Sequence, residues 1–142
     1  MAKIDIHHAY RSVPIHPDNF QATGCKWQFS GDKHFTYFYD ARLPFGANNS
    51  PEIFHRIMQS MRRMMARRGF PNIIVSLDDF LVIGALREQC QLAYETLLQL
   101  LVGLGFSISQ HKLVPPTQRL TFLGVQLDTV AGTMTLPADI SW

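Results

Sequence analysis

The sequence predicts an α+β fold of the split βαβ, ferredoxin-like kind, and three observations point there. Two long segments repeat apolar residues at three- and four-residue spacing, as amphipathic helices do. Short runs rich in β-branched residues flank those segments. The order strand, helix, strand-strand, helix, strand is the one in which the first strand and the central hairpin are neighbours.

Lys3 to His7 alternates, with Ile4 and Ile6 flanking Asp5, so it suits a half-buried strand whose other face is polar and carries Asp5. Thr23 to Phe29 and His34 to Tyr39 are extended runs separated by Ser30-Gly31-Asp32-Lys33, which has hairpin-loop chemistry. Ser50-Pro51-Glu52 reads as a helix start: Ser caps an orphan amide, Pro tolerates the first helical position, and Glu complements the dipole. A helix is predicted from about Pro51 to Arg68, with Ile53, Ile57, Met61 and Met64 on its apolar stripe.

Asn72 to Leu77 and Phe80 to Gly84 are strand-like and joined at Asp78-Asp79. A second helix is predicted from about Leu86 to Leu104, keeping Leu86, Cys90, Ala93, Leu97, Leu100 and Leu104 on one stripe. The remaining extended runs are Phe106 to Ser109, Leu120 to Leu127 and Thr133 to Leu136, the last two around Ala131-Gly132.

The chain has 142 residues, 46% hydrophobic and 17% charged, which argues for one folded domain and against disorder. A net charge of +2 does not by itself announce a nucleic-acid partner. Distribution says more: Arg56, Arg62, Arg63, Arg67 and Arg68 fall in one stretch without an acid, five of the 13 basic residues. Cys25 and Cys90 lack metal-like spacing, and two thiols make no disulfide framework. No segment approaches the ~20 apolar residues of a membrane span, and Met1 to Asp5 is not a signal peptide. A soluble, intracellular protein, cytoplasmic or nuclear and not secreted, is expected. The six histidines show no ligand spacing and receive no role.

An Asp-Asp pair between apolar strands is by itself an ordinary hairpin turn. The predicted topology adds a third acid, because it lays Asp5 beside Asp78 and Asp79. Three such charges repel unless a cation neutralises them, and an all-oxygen donor set selects a hard ion such as Mg²⁺. Two such ions, with Mn²⁺ as a substitute, support nucleotidyl transfer to a primer 3′-hydroxyl.

Five strings then carry a family resemblance. Lys3-Ile4-Asp5-Ile6-His7-His8-Ala9-Tyr10 through Pro17 resembles the first palm motif of retroelement reverse transcriptases, and Leu43-Pro44-Phe45-Gly46-Ala47-Asn48-Asn49-Ser50-Pro51 the nucleotide-pocket motif. Ser76-Leu77-Asp78-Asp79 is similar to the catalytic Tyr-x-Asp-Asp box, Gly105 to Ser109 with Lys112 to the fourth palm motif, and Thr121-Phe122-Leu123-Gly124 to the primer grip. Each string alone is weak; five in order are specific. The stretch Gly124 to Pro137 is most similar to DIRS-like retrotransposons, with gypsy-like elements second.

The resemblance implies an RNA-directed DNA polymerase palm over residues 1–142, with a partial fingers hairpin at 15–42 and without thumb or ribonuclease H. Asp5 and Asp78 would hold both metals, Asp79 would complete the cluster, and the Ile6 carbonyl would add a ligand. Tyr10 would exclude a 2′-hydroxyl, Phe45 and Gly46 would line the incoming dNTP, and Lys112 would sit near the pyrophosphate. Phe122, Leu123 and Gly124 would meet the primer, while Arg56 and Arg63, seven residues apart on one helix face, would meet backbone phosphates of an RNA or DNA template-primer. Ser76 departs from the family's usual aromatic residue.

Without the remaining fingers and thumb, a fragment with little or no activity of its own is expected, completed by a longer polyprotein or an oligomer. The alternative from another class is a non-catalytic, retroelement-derived nucleic-acid-binding module. A nucleotide cyclase is disfavoured, because the Leu-Pro-Phe-Gly and Phe-Leu-Gly strings have no place in one.

Overall fold

The computed structural model describes residues 1–136. Pro137, the last residue of the stretch that suggested a subgroup, and the end at Trp142 lie outside them. Strand β1 (Ala2–His7) is followed by two short 3-10 segments and by β2 (Gly24–Trp27) and β3 (Thr36–Tyr39). Then come helix α1 (Ser50–Arg67), β4 (Ile73–Ser76), β5 (Asp79–Val82), helix α2 (Arg87–Gly103) and β6 (Ser107–Ile108). A meander of β7 (Arg119–Phe122), β8 (Val125–Asp128) and β9 (Thr133–Thr135) completes the described chain.

The main sheet has the order β4-β5-β1-β6, which is the split βαβ order the sequence predicts, with β1 between the central hairpin and the strand that follows the second helix. Helices α1 and α2 cover one face. Into it point Ile4, Ile6, Phe80 and Val82, which join Phe54, Met58, Met65, Leu97 and Leu101 in the main core. On the opposite face Leu81 packs with Leu120 and Phe122, so the β7-β8-β9 sheet covers part of the side that carries Lys3, Asp5 and Asp79. Asp5 is only 4% exposed. The polar face beside the two isoleucines is thus partly covered, with Asp5 buried and Lys3 and Asp79 half-buried.

Local corrections have identifiable causes. The stripe of α1 centres on Phe54, Met58, Met61 and Met65, with Ile57 and Met64 at its margin and Ile53 turned out to solvent. Apolar residues on adjacent positions leave the centre of such a stripe open to one residue of error. Ser50 does not cap the helix; its buried hydroxyl donates to the Pro44 carbonyl at 2.7 Å, tying the preceding turn down. In α2, Tyr94 and Leu101 are buried, whereas Leu86 and Leu104 flank the helix and are exposed. The run Leu120 to Leu127 is two strands, β7 and β8, folded at Leu123-Gly124. Both turn residues have positive φ, 50° and 76°, as a two-residue type I′ hairpin needs.

Candidate functional site

The central hairpin turns one residue earlier than predicted. Ser76 pairs with Asp79 across β4 and β5, so the two turn residues are Leu77 and Asp78, and Asp79 is the first residue of β5. Leu77 takes the left-handed φ of 49°, a conformation that costs a non-glycine residue energy and that clusters at functional sites. The shift separates the two acids: Asp78 sits at the hairpin tip and Asp79 in the sheet. The Ile6 amide donates to the Asp78 carbonyl at 3.0 Å, which fixes the tip against β1.

Asp5 pairs with Asp79 across β1 and β5, so the two side chains share one face. From the other side, the Ser109 amide donates to the Asp5 carbonyl at 2.9 Å and holds the start of the 110–112 turn against the strand. Two lysines answer the acids. Lys112 Nζ lies 3.2 Å from Asp5 Oδ2, and Lys3 Nζ lies 3.3 Å from Asp79 Oδ1. Asp79 Oδ1 is buried and has no hydrogen-bond partner; the Lys3 contact is close enough for charge but not aligned for a hydrogen bond.

Burial pushes the Asp79 carboxyl up, Asp5 beside it pushes the same way, and Lys3 only partly offsets them, so its pKa is raised. Burial also acts on Asp5, but hydrogen bonds from Ser109, Lys112 and Asp79 outweigh it and hold its pKa below the ordinary value.

A cavity of about 260 Å³ opens at this end of β1, lined by Asp5, Asp78, Tyr10, Phe45, Ser109 and Lys112 among others. Tyr10 wedges between Phe45 and Phe54, with ring centroids 5.4 and 5.6 Å away. A larger cleft of about 890 Å³ lies at the opposite end of β1, and its lining contains no acid.

Residues 1–127 match the family described as reverse transcriptase (RNA-dependent DNA polymerase). The chain belongs to the reverse transcriptase family.

Among the relatives of this reverse transcriptase domain, the Gag-Pol polyprotein of gibbon ape leukemia virus is 27% identical over 130 residues, covering 87% of this chain and 7% of that protein. The putative enzymatic polyprotein of Cassava vein mosaic virus is 32% identical over 92 residues, covering 65% of this chain and 14% of that one. The domain thus spans a small part of the polyproteins it matches. A foamy viral protease-reverse transcriptase solved in complex with double-stranded DNA superposes with a TM-score of 0.80 at 22% identity, over 97% of this chain and 22% of that one. The same foamy viral protein with an RNA/DNA hybrid gives a TM-score of 0.79 at 22% identity, over 97% of this chain and 17% of that one.

The sequence-predicted residues divide between the cavity and its surroundings. Asp5, Ile6, Asp78, Tyr10, Phe45 and Lys112 line it. Asp79 touches Asp5 from the sheet side without lining the cavity, and Gly46, whose φ of 80° requires glycine, lies outside it. Phe122 is buried in the second core while Leu123 and Gly124 form the β7-β8 turn, away from the cavity lining. Arg56 and Arg63 share an exposed groove on α1 with Ile53, Ile57, Gln59 and Ser60. Lys3, Ser109, His7 and His8 belong to the site although sequence reasoning assigns them no role; the alternation of β1, which puts Lys3 on the Asp5 face, is the one signal for it.

Among the described residues no three His, Cys, Asp or Glu side chains converge tightly enough to hold a metal ion. Asp5 touches Asp79 and shares the cavity with Asp78, and Lys112 and Lys3 pair with Asp5 and Asp79. Mg²⁺ does not need a full protein cage, since it binds through one or two carboxylates and keeps other positions for water and phosphate. Asp5 and Asp78 on one cavity, with the unpartnered Asp79 Oδ1 behind them, fit such an ion.

Proposed function

We propose that this chain is the catalytic palm of an RNA-directed DNA polymerase that adds dNTPs to a primer 3′-hydroxyl on an RNA or DNA template. The observation that carries the reading is the β1–β5 pairing of Asp5 with Asp79 beside an aromatic-walled cavity that also holds Asp78. Asp5 and Asp78, with the Ile6 carbonyl, would hold Mg²⁺ or Mn²⁺, and Asp79 supplies the balancing charge behind them. Two bound ions would activate the primer hydroxyl and stabilise the leaving pyrophosphate.

The protein's own groups do the rest. Tyr10, braced by buried Phe54, presents a ring edge where a sugar would lie and excludes a 2′-hydroxyl by contact. Phe45, 67% exposed, offers the opposite wall to a nucleotide, with Gly46 shaping the backbone beside it. Lys112 is half exposed on a short turn, so its ammonium can leave Asp5 for a phosphate oxygen and donate a proton there. Arg56 and Arg63 suit backbone phosphates, which carry affinity without sequence preference. The Phe122-Leu123-Gly124 turn is the proposed primer contact. Structural neighbours solved with double-stranded DNA and with an RNA/DNA hybrid support a duplex partner.

We assign residues 15–42, whose β2-β3 ribbon stands outside the main sheet, to a partial fingers element. Action inside the cell and a retroelement origin, DIRS-like by the stretch from Gly124, belong to the same reading. Extension of a labelled primer on RNA with dNTP and Mg²⁺ tests it: the chain, alone or within its longer product, extends the primer and Asp78→Asn does not. Equal signal from both would favour the non-catalytic nucleic-acid-binding module.

A further inference from the structure

We propose that Lys3 is a positioning residue of the carboxylate site: its ammonium holds Asp79 on the sheet face and leaves Asp5 and Asp78 as the acids a divalent cation meets. The inference rests on the metal-binding reading above and extends it to a residue that reading leaves idle.

The geometry is specific. Lys3 and Asp5 are two residues apart on β1 and therefore share a face, and Asp79 pairs directly with Asp5, so Lys3 reaches it along the cross-strand diagonal. Both partners of the ion pair are only 18% exposed. Asp79 Oδ1 has no hydrogen bond, so nearby positive charge from Lys3 is its compensation. The Lys3 backbone cannot drift: it pairs with Leu81 on one side, and on the other its amide and carbonyl bond to Val114 at 2.8 and 3.0 Å.

Lys112 contrasts with it. Its side chain is 52% exposed at the end of a single 3-10 turn, so it is free to follow a phosphate. Lys3 is not. When Lys112 leaves, the three acids less Lys3 carry two formal negative charges, the complement of one divalent cation. Lys3 thereby fixes both where Asp79 points and how much charge an arriving ion sees.

The test measures Mn²⁺ binding to the full chain, without nucleotide, by electron paramagnetic resonance of the free ion. Lys3→Met and Lys3→Gln should each tighten Mn²⁺ about tenfold, because a fixed positive charge near the ion is gone and Asp79 is released to it. Lys3→Arg should stay within about twofold of the parent, since it keeps the charge. In an Asp79→Asn background the Lys3→Met effect should shrink below about threefold, because an untethered ammonium turns to solvent and is screened. Lys3 variants that melt earlier but bind Mn²⁺ as the parent does, or more weakly, would overturn the proposal, as would an undiminished effect in the Asp79→Asn background. A parent chain that binds no Mn²⁺ would instead remove the metal reading itself, and this inference with it.

Discussion

Asp5 and Asp79 stand opposite each other on β1 and β5, two acids sharing one face of a sheet, each with its own lysine. Like charges placed directly across a strand pair destabilise it. A cation bound at the proposed site would offset that cost.

Asp79→Asn should therefore stabilise the metal-free protein, by about 1 kcal/mol or roughly 4 °C in melting temperature. The sign follows from the raised pKa of Asp79: the folded state binds its proton more tightly than the unfolded chain, so the charge opposes folding above that pKa. The gain should be largest near neutral pH and shrink as pH falls through the raised value toward 3.8. Thermal melts of both proteins across that range, in chelator, check it.

Tyr10→Ala should raise incorporation of ribonucleotides relative to deoxyribonucleotides by roughly tenfold or more, because the ring proposed to meet the sugar is gone. Single-nucleotide addition with matched dNTP and rNTP gives the ratio. An unchanged ratio would place the sugar elsewhere in the cavity.

Much of the fold is legible in the sequence, and less of the site. Element order was enough to give the β4-β5-β1-β6 sheet, and hence Asp5 beside the hairpin, because each element carried its own period. The turns were harder. Leucine at a left-handed position is rare, so Leu77 and Leu123 read as strand, the hairpin was displaced onto Asp78-Asp79, and β7 and β8 were fused. Gly124 was the available warning. Lys3 and Ser109 were missed because a lysine on an alternating strand and a serine at the end of a short strand have ordinary solvent-facing explanations; only the register brings them to the acids.

Gly84→Ala should cost about 2 kcal/mol, seen as a lower urea midpoint. A Cβ there would lie 2.6 Å from the Cys90 amide nitrogen and 2.9 Å from its Cα, both inside the first turn of α2, so backbone must move.

Asp128→Ala should loosen the β8-β9 connection. The Asp128 carboxylate accepts the amides of Val130 and Ala131 at 2.8 and 2.9 Å, and those bonds, with Arg119, hold its pKa below the usual value. A lowered acid contributes above its unfolded pKa and is lost as pH falls through the folded one. Hydrogen exchange at those two amides should quicken about fivefold in the variant. The parent should converge on it only in acid.

The position of a bound metal decides whether Asp5 and Asp78 form the ion site. Crystals of the chain with Mn²⁺ and a dNTP, measured at the manganese edge, should show anomalous density between the carboxylates of Asp5 and Asp78, with Asp79 still turned to Lys3. Density elsewhere, or none at a Mn²⁺ concentration that supports primer extension, would contradict it.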